Sequence, residues 1–489
     1  MVFNSIQFLL FLPLVVLVYY LVPQKGKNLW LLFTSYYFYI CWHPTHMVVL
    51  LFVTAVVYLG GRLVAAARHT AARRAWLAGS VVLAFLPLLT LKYLNFLVDS
   101  CLVVLARLGI QIAPPAFSWL LPMGISFYTL QAVGYLIDVY RGEPAEKSPL
   151  QLALFVAFFP QLVSGPISRG KSLLAQFHAP RKLEFDNLRD GVLLMIWGYF
   201  LKVVIADRAA IFVDTVYYLD NGFDGWFYIV ATLLFGVQLY CDFSGCTTVA
   251  MGAAKVLGID LIDNFQAPYL SRSNAEFWRR WHISLSTWFR DYLYIPLGGN
   301  RKGKARKYLN VLITFAVSGL WHGAQWTFVA WGLLNGLYQV IGDWLRPVRK
   351  ALLGVTGLDT DTLGHKAVQV LCTFVCVNLS WAFFRANRLM DSLTILKGIF
   401  TATNIEVLFD GSLFLCGLDE VNFFLLLIYL AVLFAVDLCK YKGISIRQGI
   451  ARQSWLCQVL VVTFGVLAIL LLGVYGPGFE ASNFIYSQF

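Results

Sequence analysis

Long apolar segments recur along the whole chain and constrain its fold more than any other feature. A helix rises about 1.5 Å per residue, so about 20 apolar residues are needed to cross a hydrocarbon core of about 30 Å. The sequence predicts spans at residues 4–22, 46–64, 76–97, 117–140, 149–168, 191–206, 226–246, 309–330, 366–384, 421–439 and 454–475. Shorter apolar segments at 28–42, 98–113, 331–345 and 389–409 are candidates for half-spans or interfacial helices. We therefore expect an all-α polytopic membrane protein with about eleven transmembrane helices.

The composition excludes an ordinary soluble protein. Hydrophobic residues make up 59% of the 489 positions and charged residues 13%, whereas soluble domains have about 45–50% apolar and about 25% charged residues. The apolar excess extends from end to end, so residues 1–489 are expected to form a single transmembrane domain. The nine cysteines include no Cys-x-x-Cys pair and no Cys/His cluster. Free thiols are therefore expected, and a metal site is not.

Basic residues predict which loops face the cytoplasm. The net charge of +12 would suggest a nucleic-acid partner in a soluble protein, but here the cations lie in short loops, as the positive-inside rule requires. The clusters expected in the cytoplasm are Lys25 and Lys27, Arg62–Arg74, Arg169–Arg189, Arg301–Lys307, Arg346–Lys350 and Lys440–Arg452. Both termini would then lie outside, including the tail at 476–489. Residues 4–22 lack the features of a cleaved signal and are predicted to be a retained span.

The region 259–309 differs from the other loops. It carries thirteen charges, nine of them positive, yet it is rich in Trp, Phe, Tyr and Leu. Re-entrant or amphipathic segments combine these features, and irregular backbone at membrane depth is tolerated around a cavity. A cytoplasm-facing functional site is therefore expected here.

Two of the seven histidines are candidates for chemistry. His322 lies inside an apolar segment, where an ionisable side chain is costly and usually faces a cavity or a partner. Imidazole titrates near neutrality, so a general base is its natural role. Gly319 and Gly323 flank it and leave space either for a substrate or for a neighbouring helix. Surface positions are expected for His43, His46, His69, His178 and His365.

The second histidine, His282, lies in a charged and aromatic stretch. A continuous helix would place Trp278, His282 and Ser286 on one face, since they are four residues apart. Arg279 and Arg280 would then contact phosphates or serve the positive-inside rule. Ser286 is a weak nucleophile candidate, because no nucleophile-elbow pattern surrounds it.

Neither the carboxylates nor the basic run at 301–304 provides a further candidate for chemistry. Asp138 and Asp242 are the promising buried carboxylates, and both are expected to hold loops or helix ends in place. The basic run at 301–304 lacks the glycine spacing of a phosphate-binding P-loop.

Two long motifs carry a family resemblance. NAEFWRRWHISLSTWFRDYLYIPLGGN, from Asn274 to Asn300, and SGLWHGAQWTFVAWG, from Ser318 to Gly332, resemble the membrane-bound O-acyltransferase superfamily. More narrowly, they are similar to the bacterial branch of the alginate O-acetylation membrane protein. Further matching pieces are PMGISFYTLQAVGYLIDVYRG from Pro122, FFPQLVSGPISR from Phe158, QLYCDFSG from Gln238 and NLSWAFFRA from Asn378.

The resemblance implies a multi-helix fold around a funnel, with re-entrant and interfacial helices. It implies that His322 is the catalytic histidine and that His282 is the second family histidine. Many eukaryotic relatives have Asn at the second position, which favours a positioning or polarising role. The donor would be a cytoplasmic thioester, acetyl-CoA, with no bound cofactor or metal. Residues expected to line the donor site are Trp278, Arg279, Arg280, Trp281, Arg290 and Asn300.

The resemblance also implies a destination for the acyl group. A Phe-x-Tyr motif near the C-terminus of this branch is proposed to carry the acyl group on its tyrosine, here Tyr486; the alternative is an aromatic anchor. We expect a bacterial inner-membrane enzyme that sends acetyl groups to a periplasmic or surface partner for O-acetylation of an alginate-like polysaccharide. The alternatives are D-alanyl transfer to teichoic acid, peptidoglycan O-acetylation, or a transporter without chemistry.

Overall fold

The computed structural model describes residues 1–113, 120–218, 222–357 and 359–475, and within these ranges the regular structure is helical with no strand. The described chain forms two compact units. One comprises residues 1–192 with 250–262, and the other comprises 193–249 with the described residues from 263 onwards. The expectation of an all-α membrane protein is confirmed. The single domain over 1–489 stays a prediction.

The first unit is built from apolar helices that pack through small residues. Its helices are α1 Ile6–Leu21, α2 Gln24–Ile40, α3 His46–Ala66, α4 Thr70–Leu88, α5 Leu94–Arg107, α6 Ile125–Arg141, α7 Pro149–Ala157, α8 Phe159–Leu162 and α9 Gly170–His178. Gly60 on α3 meets Ser80 on α4 so closely that a Cβ at Gly60 would lie 2.3 Å from the serine Oγ. A π-helical segment, Leu89–Tyr93, joins α4 to α5 just after Pro87, which lacks the N–H that a helix needs.

Two helices run through both units, α10 Phe185–Tyr199 and α12 Trp226–Val256. The helices of the second unit are α11 Asp207–Tyr217, α13 Asn274–Arg280, α14 Ile283–Phe289, α15 Gly303–His322, α16 Trp326–Trp344, α17 Arg346–Thr356, α18 Leu363–Arg385, α19 Leu389–Phe400, α20 Glu420–Tyr441, α21 Ile446–Ala451 and α22 Trp455–Leu472. It also contains the π-helical segments Phe200–Ala206 and Arg290–Tyr294 and the 3₁₀ turns Pro268–Leu270, Ile405–Leu408 and Ser412–Leu415.

Six helical stretches among the described residues are long and apolar enough to cross a membrane. They are His46–Ala66, Thr70–Arg107, Trp226–Val256, Leu363–Arg385, Glu420–Tyr441 and Trp455–Leu472. Each overlaps a span predicted from the sequence. The total of about eleven spans stays a prediction.

Two of the predicted spans are divided in the structure. Residues 149–168 do not form one helix: α7 ends at Ala157 and a four-residue helix follows, in a stretch that contains Pro160, Gly165 and Pro166. Residues 309–330 are divided between α15 and α16, because the chain reverses after His322. An apolar run predicts which residues lie away from water, but it does not predict where the backbone turns.

Candidate active site

Glycines bring α15 and α16 into backbone contact. A Cβ at Gly319 would lie 2.2 Å from the carbonyl oxygen of Phe328, and a Cβ at Gly332 would lie 2.2 Å from that of Phe315. At Gly323 the added atom would meet the Phe328 ring at 2.1 Å. Of the two roles open to the glycines beside His322, the structure therefore supports space for a neighbouring helix. This contact fixes the end of α15 firmly against α16.

His322 is the last residue of α15, and its side chain is 3% exposed. The backbone becomes extended at Gly323, where φ is −156° and ψ is 145°. Three aromatic rings surround the imidazole edge to face, with centroids at 4.9 Å for Trp321, 5.1 Å for Trp331 and 5.5 Å for Phe384. The ring therefore occupies a defined orientation in an apolar pocket.

His282 lies at a break between two short helices, α13 and α14, and is fully buried. Its backbone is left-handed, with φ 44° and ψ 55°, a region that costs a β-carbon-bearing residue free energy and that often marks functional sites. A continuous helix through Trp278, His282 and Ser286 therefore does not form. The left-handed backbone at His282 gives its side chain a direction different from the one it would have in a continuous helix.

Asn264 holds the chain at the start of α14. Its backbone carbonyl accepts from the N–H of Ile283 at 3.0 Å, and its side-chain Oδ1 accepts from the N–H of Ser284 at 3.0 Å. The amide side chain is 1% exposed. On the other side of the break, the N–H of Gln266 donates to the carbonyl of Arg280 at 3.0 Å. These bonds hold the chain on both sides of His282, and no periodicity in the sequence could have revealed partners 14 to 20 residues apart.

His282 and His322 lie side by side. His46, expected at the surface, is buried too, as the first residue of α3. The ring centroids of His282 and His322 are 6.4 Å apart and the ring planes are inclined at 61°. Phe243 of α12 packs edge-on against His282 at 4.6 Å, and Trp321 lies 6.1 Å from the same ring. Two imidazoles at this separation can both contact one small group bound beside them. The structure thus brings together the two histidines that the sequence singled out.

Burial determines the charge of His282, which lies outside the six candidate spans. Desolvation lowers the pKa of this imidazole from its usual 6.5 to about 3. The ring is therefore neutral at physiological pH, with one nitrogen able to donate a hydrogen bond and the other able to accept one. A neutral imidazole is suited to orienting or polarising a carbonyl group.

The six residues expected at the donor site fall into two groups. Trp281 is buried against Phe277 and Trp381, and Trp278 packs against Trp331 at 5.6 Å. Arg280 forms an ion pair with Glu276 at 2.9 Å and lies over the ring of Tyr441. Three are exposed: Arg279, Arg290, which pairs with Asp291 at 2.8 Å, and Asn300, whose side chain accepts a hydrogen bond from Tyr294.

A buried charge cluster lies near the site, and the sequence indicated only one of its three members, Asp242. Lys202 lies 2.7 Å from Asp242 and 2.9 Å from Asp207, and each of the three side chains is at most 4% exposed. Lys202 belongs to the π-helical segment that follows α10. Asp242 lies in the middle of α12 and pairs with this lysine, which lies between α10 and α11. Asp242 directly precedes Phe243, the ring that contacts His282.

No group of three or more His, Cys, Asp or Glu side chains that could hold a metal ion occurs in the described ranges. All nine cysteines are free thiols. Tyr486 and the rest of the tail at 476–489 lie outside the described residues.

Known proteins resemble this chain over most of its length. A model of the membrane-bound O-acyltransferase family matches residues 143–380, which contain His282 and His322. The probable alginate O-acetylase of Pseudomonas putida is 41% identical over 395 residues, covering 80% of this chain and 78% of the relative. The peptidoglycan O-acetyltransferase of Helicobacter pylori is 33% identical over 441 residues, covering 82% and 80%. The teichoic acid D-alanyltransferase of Streptococcus thermophilus is 31% identical over 311 residues, covering 59% and 75%.

These matches extend well beyond the two histidine motifs and favour an enzyme over a transporter. The chain therefore belongs to the membrane-bound O-acyltransferase family and is an O-acyltransferase.

Proposed function

We propose that the protein transfers an acetyl group from cytoplasmic acetyl-CoA, through the bacterial plasma membrane, for O-acetylation of an alginate-like extracellular polysaccharide. The observation that carries this proposal is the pair of buried histidines 6.4 Å apart, inside the region that matches the family. The similarity to probable alginate O-acetylases supports the choice of acyl group and acceptor.

The chemistry assigns one role to each histidine. His322 takes the proton from an acceptor hydroxyl, and the oxygen attacks the thioester carbonyl. His282, neutral because it is buried, donates a hydrogen bond to the carbonyl oxygen as negative charge develops there. Collapse of the tetrahedral intermediate breaks the carbon–sulfur bond, and the departing thiolate takes the proton from His322. An O-ester and a thiol result.

The donor approaches from the side that carries the exposed cations. Arg279 and Arg290 are exposed beside the break at His282, and the cluster Arg301–Lys307 follows in sequence. Guanidinium and ammonium groups suit the phosphates of coenzyme A. The proposed donor site also includes Trp278, Arg280, Trp281 and Asn300. The two tryptophans contribute by forming walls of the aromatic pocket.

The outgoing acetyl group passes through Tyr486 to a periplasmic or surface protein that modifies the polymer. A phenol whose proton is removed can carry an acyl group covalently. Tyr486→Phe keeps the ring and removes the nucleophilic oxygen, so polymer acetylation should fall by at least about 100-fold. Quantifying O-acetyl esters in the Tyr486→Phe strain, with Tyr475→Phe as the matched control, tests this step. Wild-type acetylation in the Tyr486→Phe strain would eliminate the relay.

Mass spectrometry of the envelope glycans tests the function as a whole. Cells with and without the protein are compared for O-acetyl esters on extracellular polysaccharide, O-acetyl groups on peptidoglycan and D-alanine on teichoic acid. The proposal expects loss of the first modification alone. Loss of either of the other two would reassign the acceptor, in line with the relatives that bear those names.

A further inference from the structure

A short helix with two chemically distinct faces follows the histidine-bearing helices. This helix, α17, comprises Arg346–Thr356 and contains three cations and no acidic residue. Its apolar side chains at Val348, Leu352 and Val355 are 62%, 63% and 88% exposed. No residue of α17 is fully buried against the protein.

Helical geometry separates the two kinds of side chain. Val348, Leu352 and Val355 follow one another at intervals of four and three residues, so they form one stripe. Arg346, Arg349 and Lys350 fall on the remaining surface, about 100° or more from the centre of that stripe. A helix with an apolar stripe and a cationic side is typical of segments that lie in the plane of a membrane interface.

The neighbouring helices place α17 at such an interface. Exposed tryptophans stand at both ends of α16, at Trp326 and Trp344, about 27 Å apart along the helix, which is close to the thickness of a hydrocarbon core. Tryptophan is enriched at the two membrane–water boundaries, and α17 begins two residues after Trp344. The next helix, α18, is long and apolar enough to cross a membrane and begins at Leu363.

The length of α17 also supports a position at the membrane interface, and so does an ion pair close to its start. Eleven residues extend about 16 Å, too short to cross the membrane. Near the start of α17, Asp343 pairs with Lys307 at 2.7 Å. This ion pair sets α17 on the same side as the exposed cluster Arg301–Lys307.

We propose that α17 is an interfacial anchor that inserts Val348, Leu352 and Val355 among lipid acyl chains and binds anionic phospholipid headgroups through Arg346, Arg349 and Lys350. The occupant of the exposed apolar stripe is thus a membrane leaflet of negative charge, because the helix offers cations and no carboxylate. This site is separate from the histidine pair and does not depend on the proposed acyl donor or acceptor.

Fluorescence from the two faces of α17 tests the insertion. Full-length protein lacking its non-buried native cysteines carries one environment-sensitive probe, at Val355→Cys or, as the opposite-face control, at Lys350→Cys. Each is placed in vesicles of phosphatidylcholine with and without phosphatidylglycerol. We expect the probe at 355 to be quenched by brominated acyl chains and shielded from iodide, and the probe at 350 to be open to iodide.

Two results would contradict the insertion. Iodide quenching that is equal at positions 355 and 350 would show that the apolar stripe faces water. Shielding at 355 without quenching by brominated chains would identify a protein surface as the partner and would also overturn the proposal.

Lipid retention tests the headgroup part. Neutralising Arg346, Arg349 and Lys350 to Gln should lower the phosphatidylglycerol retained by the purified protein by roughly fivefold for each cation removed. The matched control neutralises Arg301, Lys302 and Lys304, which are also exposed but lie at the start of α15, a helix that contains buried residues. We expect a smaller loss in the control, and equal losses in the two variants would contradict lipid selectivity at α17.

Discussion

At the scale of single residues, the backbone of His282 matters as much as its ring. The left-handed φ of 44° leaves Asn as a tolerated substitute, because Asn adopts this region more readily than most residues. Asn also keeps a side-chain hydrogen-bond donor in the site. We expect His282→Asn to retain a measurable fraction of activity and His282→Ala to lose about 100-fold or more.

Acyl transfer by purified protein in vesicles measures the difference between these two variants. Equal activity in both would show that neither the backbone conformation nor a side-chain donor matters at this position.

A second prediction concerns how much the buried charge cluster at Lys202 contributes to stability. Lys202→Met would leave Asp207 and Asp242 buried without their cation. Removing one partner from a buried ion pair costs about 3–5 kcal/mol, so the apparent unfolding temperature in detergent should fall sharply. The matched control is Lys255→Met, whose partner Asp260 is largely exposed; it should cost about 1 kcal/mol or less. Similar shifts in the two variants would contradict a supporting role for the buried cluster.

At the scale of helices, the contact between α15 and α16 positions His322. Gly319→Ala would place a Cβ against the carbonyl of Phe328, and backbone cannot move aside cheaply. We expect a loss of about 1–3 kcal/mol in stability and a parallel loss of activity. Gly342→Ala on α16 is the matched control, because no atom lies within 4 Å of its added Cβ, and it should be neutral or slightly stabilising. Thermal unfolding of both variants measures the effect, and tolerance of Gly319→Ala would argue against close packing.

Some of these elements could be predicted from the sequence and others could not. Apolar run length predicted spans at 46–64, 366–384 and 421–439, and the structure has helices at His46–Ala66, Leu363–Arg385 and Glu420–Tyr441. About 20 consecutive apolar residues favour a helix, because a helix satisfies all its backbone hydrogen bonds within one segment. The turns at His282 and His322 could not be predicted, since they depend on Asn264 and on glycine contacts between α15 and α16. The motifs identified both histidines, but only the fold shows them as neighbours.

At the scale of the whole molecule, the ion pair between Lys307 and Asp343 supports the prediction that two basic clusters face the same side of the membrane. The start of α15 and the end of α16 lie together, so the clusters Arg301–Lys307 and Arg346–Lys350 belong to one side. The positive-inside rule predicts that this side is cytoplasmic. An acyl donor made in the cytoplasm would then meet the exposed cations before it meets the buried histidines.

The measurement that tests the central claim most directly is polymer acetylation in cells whose protein carries His322→Ala. The variant should insert and accumulate as the wild type does, and O-acetyl esters should fall by about 100-fold to 10,000-fold, because the general base is lost. The control is His69→Ala, which alters an exposed histidine far from His322 in the sequence and should leave acetylation unchanged. Near-normal acetylation by properly inserted His322→Ala protein would contradict the assignment of the histidine pair as the acyl-transfer site.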